Sequence, residues 1–315
     1  MQTTDTYKMA LHGKKKSKWL KNPMLMLFAL PMVLYVFIFC YLPMCGIVIA
    51  FQDFKYNLGL FQSPFIGLYN FRLFLHMGSL GRLVRNTLLY NVAFIIVGLC
   101  VSLLCAFLMY EIRSRVAVKI YQTCMFIPYY LSWVSIAYIG VILLSFDKGV
   151  FNRIRDLLGM SRVNYYITPE PWPGILIFIH LWKGLAVSTA LYYSALLGID
   201  PEYREAALIE GANEWQITIH INLPFLIPMI VLLLIQNIGG IFNSDFGLFY
   251  QFTQNSGSLY KTTDVIDTYI YRALMDDGKY SISSATGLVK SIIGMILITV
   301  TNGIVRKIDK SLALF

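Results

Sequence analysis

Several residues that can do chemistry sit in this chain where polar groups are costly. His180 and Lys183 lie three apart inside an apolar run, so a helix would put them on one face. Asn237, Phe242, Asn243 and Asp245 cluster at the end of another run, next to Gln236 and the pair Gly239-Gly240. Amides and a carboxylate beside an aromatic ring suit a hydroxyl-rich solute: the polar groups bond its hydroxyls and the ring covers its apolar faces. We therefore expect Lys183, Asn237, Phe242, Asn243 and Asp245 to line a solute pathway. Plainer accounts stand beside this one. His180 and Lys183 can be a buried pair with backbone or interhelical partners. The glycines can serve only close helix packing. Asp245 can rest in the outer headgroup region, and Lys290 is expected to snorkel to the outer interface.

None of these groups forms a catalytic pairing. A phosphate-cradling G-x-x-x-x-G-K-[ST] loop is absent; Gly287 with Lys290-Ser291 lacks the glycine before the lysine. H-E-x-x-H and G-x-S-x-G are absent too, and His12, His76, His180 and His220 are scattered. Cys40, Cys45, Cys100, Cys105 and Cys124 fall inside apolar runs without a C-x-x-C pair, so they read as small apolar residues. The expectation is a chain that is not an enzyme, holds no metal or cofactor, and draws any chemical energy from another subunit.

The elements that position these residues follow from composition. Of 315 residues, 57% are hydrophobic and only 14% charged, against about a quarter charged in soluble domains. Lipid can face the excess apolar surface, and aromatics at 15% fit anchoring at the headgroups. The net charge of +9 comes from residues at the ends of apolar runs, which points to membrane orientation and not to nucleic acid. Six apolar runs are long enough to cross about 30 Å of hydrocarbon: 23–51, 86–110, 120–146, 173–197, 223–241 and 285–305. Each must be helical, because lipid cannot satisfy free backbone groups. The first is too long for a signal-peptide core and should loosen at Pro31 and Pro43. The fold class is all-α: a polytopic membrane protein with six transmembrane helices.

Six spans place both termini on one side. With that side inside, the inner segments hold 13 Lys and Arg in 65 residues, against 11 in 104 outside. Lys14, Lys15, Lys16, Lys18 and Lys21 contribute most of the bias. The positive-inside rule thus makes both ends cytoplasmic. The division is a basic tail 1–22, a single six-helix membrane domain 23–305, and a C-terminal tail 306–315.

One inner loop, 199–222, is patterned. Asp200 before Pro201 is a helix start, a capping carboxylate followed by proline at the first helical position. Glu202 and Glu205 favour the positive end of the helix dipole. Ala206 and Ala207 let a partner approach closely, and Gly211 can end the helix. A second short helix from Asn213 to about Ile221 would return the chain to the membrane at Pro224. An ordinary amphipathic connector would look similar.

The same residues resemble a family pattern. Glu205-Ala206-Ala207, Gly211 after three residues, and Ile221, Leu223 and Pro224 after nine more match the E-A-A-x-x-x-G-x9-I-x-L-P loop of ABC-importer permeases, in the loop before the penultimate span. Tyr41-Leu42-Pro43-Met44, Gly67-Leu68-Tyr69-Asn70-Phe71 and Trp182-Lys183-Gly184 look like sugar permeases. Gly239-Gly240-Ile241-Phe242-Asn243 and Ala313-Leu314-Phe315 resemble the branch for complex oligosaccharides and polysaccharide fragments. The extra N-terminal spans and large insertion of some maltose-type permeases are missing.

The resemblance implies a bacterial cytoplasmic-membrane importer. Glu205, Ala206, Ala207, Gly211 and Ala212 would form the contact with an ATPase subunit. Two such ATPases would bind ATP and Mg. A second homologous permease chain would complete the pathway, and an extracytoplasmic sugar-binding protein would deliver an oligosaccharide. Closure of the ATPases would rock the helices between inward-open and outward-open states. Two other readings stay open: an ABC permease for a non-sugar solute, and an ATP-independent secondary transporter, which would need no such loop.

Overall fold

The computed structural model describes residues 23–310 and 312–313. The expected basic tail 1–22, and Leu314 and Phe315 of the C-terminal motif, lie outside the described residues. Within them the regular structure is helical, apart from one isolated bridge between Gln52 and Phe65.

The first span begins as α1 (Pro23–Val36) and runs on through a wide π turn, Phe37–Tyr41, and a tight 3-10 segment, Leu42–Phe51. Pro43 explains the change. It has no N–H to give the turn before it, so the ladder widens and then re-forms with tighter spacing. The second span, α2 (Leu80–Tyr110), is an unbroken helix of 31 residues. It starts six residues before the apolar run expected from the sequence.

The third span departs from expectation. In place of one helix over 120–146, the chain forms α3 (Arg115–Tyr130) and α4 (Trp133–Leu144), bent by 94°. Pro128 weakens the last turn of α3. Ser132 then takes extended backbone and caps α4, its hydroxyl accepting the Ser135 N–H at 3.1 Å. The carbonyls of Pro128, Tyr129 and Leu131 all accept from Lys183 Nζ, at 3.3, 2.9 and 2.6 Å. A break at membrane depth is tolerable when its backbone is satisfied in this way.

The fourth span, α5 (Trp172–Leu197), packs extensively along α2 and also against α3. The loop helix α6 is Pro201–Ile209. The expected separate second loop helix does not exist as such. A continuous helix, α7 (Glu214–Gly239), runs from the loop into the fifth span with a π turn at Thr218–Asn222. Pro224 cannot supply its N–H, and the wide turn before it absorbs the mismatch without a break. After short helical turns at Gly247–Phe252, Gly257–Leu259 and Tyr260–Thr263 and the short helix α8 (Ile266–Met275), the sixth span α9 covers Tyr280–Ile308. It reaches three residues into the expected C-terminal tail. Among the described residues five helices are long and apolar enough to cross a membrane, and the bent pair, taken as one span, makes a sixth.

The end of α2 near Arg82 is cross-tied. Asp264, 3% exposed, accepts from Arg82 at 3.3 Å and Arg272 at 2.5 Å, while its backbone carbonyl accepts from Asn86 at 3.0 Å. Beside it Asp267 pairs with Lys290 and accepts the Ser244 N–H at 2.5 Å. Lys290 is thus a paired and largely buried residue, and does not reach for the interface. Below this layer Tyr90, Phe94, Ile136, Trp172, Phe249 and Phe252 form the main apolar core.

Candidate functional site

The loop 199–222 is built from local bonds. Asp200 accepts the Glu202 N–H at 3.1 Å and starts α6. The helix ends where Gly211 takes φ +85°, a left-handed value that favours glycine. Ala212 N–H closes the turn on Ala207 O at 2.9 Å. Asn213 and Gln216 exchange side chain-to-backbone bonds of 2.8 and 2.9 Å, a capping box that opens α7. Arg204 then staples the loop to the bundle, reaching Glu214 at 2.7 Å and Glu111 at the end of α2 at 3.3 Å.

This frame leaves a surface free. Glu205, Ala206 and Gly211 are exposed. Ala207, Gly211 and Ala212 line a shallow hollow with Gln216, Ile217 and His220. Ile209 is 87% exposed and Trp215 72% exposed. The five residues expected at the ATPase contact therefore lie together, within one α6–α7 elbow. Arg204, Ile209 and Trp215 were missed by the sequence reading. The last two are visible in the sequence as large apolar residues in a polar loop, and both are exposed.

The expected pathway residues are only partly brought together. A cleft of about 580 Å³ lies between α2, α5 and α7. Asn237 and Asn243 line it, with Asn91, His180, Ser188 and Gln236. These amides and hydroxyls stand beside Phe94, on which the His180 ring stacks at 3.8 Å between centroids. Phe242 faces a different hollow between α7 and α9, shared with Asn243 and Lys290. Asp245 turns inward and caps the stretch after the fifth span, accepting from Gly247 N–H at 3.0 Å and Leu248 N–H at 3.4 Å. Lys183 bonds the carbonyls at the α3–α4 break and lies 5.2 Å from the Trp133 ring centre. His180 and Lys183 thus have separate partners.

Gly239 at the end of α7 does serve close packing, whereas a Cβ on Gly240 would meet only ordinary contacts from 3.6 Å. A Cβ on Gly239 would sit 2.9 Å from Ile298 of α9, and one on Gly294 would sit 3.0 Å from Gly239 O. Gly247 is pressed against the Trp133 side chain so tightly that a Cβ would overlap it. The arrangement as a whole offers hydrogen-bonding amides and hydroxyls along the cleft and an exposed elbow in the loop 199–222. Among the described residues no cluster of His, Cys, Asp and Glu could hold a metal ion.

Comparisons with known proteins agree with this architecture. Residues 98–314 match the family model described as the binding-protein-dependent transport system inner membrane component. Protein LplB of Bacillus subtilis is 33% identical, over 94% of this chain and 91% of its own length. The polygalacturonan/rhamnogalacturonan transport system permease protein YteP of the same organism is 32% identical, over 92% and 90%. A chain from the crystal structure of a bacterial ABC transporter involved in import of the acidic polysaccharide alginate superposes with a TM-score of 0.84 at 29% identity, covering 91% of this chain and 96% of that one. A chain from the crystal structure of a bacterial alginate ABC transporter in complex with alginate pentasaccharide-bound periplasmic protein gives 0.83 at 29% identity, covering 92% of this chain and 96% of that one. With two thirds of its length inside the family model and near full-length relatives, this chain belongs to the binding-protein-dependent transport system inner membrane components, the permeases of ABC importers.

Proposed function

We propose that this permease forms half of the translocation pathway for an oligosaccharide or polysaccharide fragment, in an importer driven by two separate ATPase subunits that bind ATP and Mg. A second, homologous permease supplies the other half, and an extracytoplasmic sugar-binding protein delivers the cargo. The membrane domain spans 23–305, the loop 199–222 faces the cytoplasm, and both tails, 1–22 and 306–315, lie on that side of the bacterial cytoplasmic membrane. The cargo class draws on relatives whose names carry polygalacturonan and alginate, and on a cleft whose amides and hydroxyls suit sugar hydroxyls.

One observation carries the coupling role: an elbow held rigidly by its own caps and by Arg204, yet exposing Ile209 and Trp215. A surface so firmly built and so apolar in a polar loop fits a protein partner. In this reading Glu205, Ala206, Ala207, Gly211 and Ala212 seat the ATPase, and Asn237 and Asn243 meet the cargo. Lys183, Phe242 and Asp245 act one layer behind. The test is Gly211→Leu, which forces a bulky residue into left-handed backbone. We expect the variant to insert normally in the membrane and to lose ATPase co-purification and sugar uptake together. Normal uptake with an intact ATPase complex would remove the elbow from the coupling path.

A further inference from the structure

Between α4 and α5 the chain forms a short helix, Val150–Leu157, that sorts its residues by face. Asn152 is buried. Its amide donates to the carbonyls of Ser145, Phe146 and Val163 at 3.2, 3.3 and 2.9 Å, and its oxygen accepts the Val163 N–H at 3.0 Å. These bonds turn another face outward. Phe151, Ile154 and Leu158, spaced i, i+3 and i+7, make an exposed apolar stripe there, with Leu157 86% exposed beside it. In a chain that spans a membrane, such a helix lies at the headgroups with its apolar face toward the acyl chains. Phe151 also lines a groove of about 630 Å³ between α4 and the start of α5. Ile139, Leu143, Phe178 and Trp182 wall the groove, and the buried Ile136 and Phe252 lie at its floor. Gly174 keeps it open, since a Cβ there would meet no atom within 4 Å.

Charge gathers at the end of the groove where Phe151 stands. The segment 147–162 carries four cations against two carboxylates. Arg162 is held by Asp156 at 2.7 Å, and Arg155 donates to the Ser161 carbonyl at 2.7 Å. Lys148 and Arg153 flank Phe151 in the chain and are exposed, and among the described residues nothing bonds either. On the topology proposed above this is the outer side, where Lys and Arg are scarce, so the two cations need an account of their own. The groove needs one as well. Water gains nothing against an apolar lining, and an empty groove forfeits the dispersion contacts of its walls. A soluble protein cannot reach between two spans. Each turn of a helix about 10 Å across takes up roughly 400 Å³, so a membrane helix would sit in the groove for little more than one turn. An acyl chain is thin enough to lie along it, and a phosphate above that chain complements the two cations.

We propose that the groove between α4 and α5 holds one acyl chain of an anionic phospholipid, whose phosphate is bound by Lys148 and Arg153 at the short helix. The site is separate from the cleft between α2, α5 and α7 and does not depend on the cargo. It lies on α4 beyond the break of the third span, so the lipid would brace the shorter arm of that span against α5.

The test uses the assembled importer, this chain with its partner permease and the ATPases, in phosphatidylcholine vesicles. The vesicles carry a trace of phosphatidylglycerol with a diazirine midway along one acyl chain. Photolysis is expected to label Ile139, Leu143 or Phe178, read by peptide mass spectrometry. Unlabelled phosphatidylglycerol should compete about tenfold better than added phosphatidylcholine, because two surface cations favour the anionic headgroup. Gly174→Phe starts a ring in open space and is expected to abolish label at these positions with the unfolding midpoint unchanged. Lys148→Gln combined with Arg153→Gln should keep the label and erase the preference for phosphatidylglycerol. Equal competition by the two lipids in the wild-type importer would mean bulk lipid only and would overturn the site. So would label that survives Gly174→Phe, or no label on α4 and α5 at all. Efficient cross-linking of Phe178→Cys to the partner permease, in a chain freed of its native cysteines, would also overturn it and make the groove a subunit interface.

Discussion

The two ends of α2 are built on opposite plans. Near Glu111, the elbow 199–222 is held by bonds between residues two to ten apart, with Arg204–Glu111 alone, among the described residues, reaching across the sequence. Near Arg82, the structure is tied by bonds spanning 175 residues or more: Arg82 to Asp264, Asn86 to Asp264, and Thr87 to Ile266. The elbow is exposed and self-supporting, whereas the opposite end is buried and depends on the whole fold. On the proposed coupling role, a part gripped by another protein keeps its shape from local caps. A part that must hold six spans in register needs long-range ties, and buried charge supplies geometric precision there.

Three changes test that contrast, in falling order of effect. Asp264→Ala leaves Arg82 and Arg272 without their shared carboxylate, one of them largely buried. Removing one partner of a buried pair costs about 3–5 kcal/mol. We expect a large drop in the apparent unfolding midpoint of the detergent-purified protein. Lys290→Met strands Asp267, which is less deeply buried, and should cost about 2–3 kcal/mol. Adding Asp267→Asn should recover part of the loss in the same melting assay; no recovery would mean the pair is not coupled. Asn213→Ala removes one half of the capping box and should cost about 1 kcal/mol. Because the elbow is local, that loss should appear as faster hydrogen exchange in 213–217 with the global midpoint nearly unmoved. A large global shift from Asn213→Ala would erase the distinction between the two ends.

The same contrast explains what the sequence could reveal. Asp200-Pro201, Gly211 and Asn213 announce their caps because each acts within a few residues, and α6 falls where they place it. The six apolar runs are legible because a span needs only length and composition. The break of the third span was not. Pro128 was visible, but a proline in a membrane helix can be absorbed as a π turn, as Pro224 is in α7. What allows the 94° bend is Lys183, more than fifty residues on, which satisfies the broken backbone. Lys290 misled for a similar reason: its partner Asp267 belongs to a loop that no periodicity ties to the sixth span. Asn237 and Asn243 reach the cleft as expected, while Asp245, two residues later, turns away to cap backbone N–H groups.

The first span meets the last, and a ribosome makes them far apart in time. The span Met26–Phe51 has none of its most apolar stretch buried within the chain. Its segment Leu42–Phe51 packs on α9, and just beyond it Phe54 N–H donates to Ser281 Oγ at 2.9 Å. About 230 residues separate these partners, so at roughly 5–20 residues per second the first helix waits on the order of 10–50 s in the bilayer before its docking surface exists. Insertion and closure are therefore separate events in biogenesis. A chain truncated before residue 280 would lack the surface on which Leu42–Phe51 packs, so closure of the bundle waits for the last span.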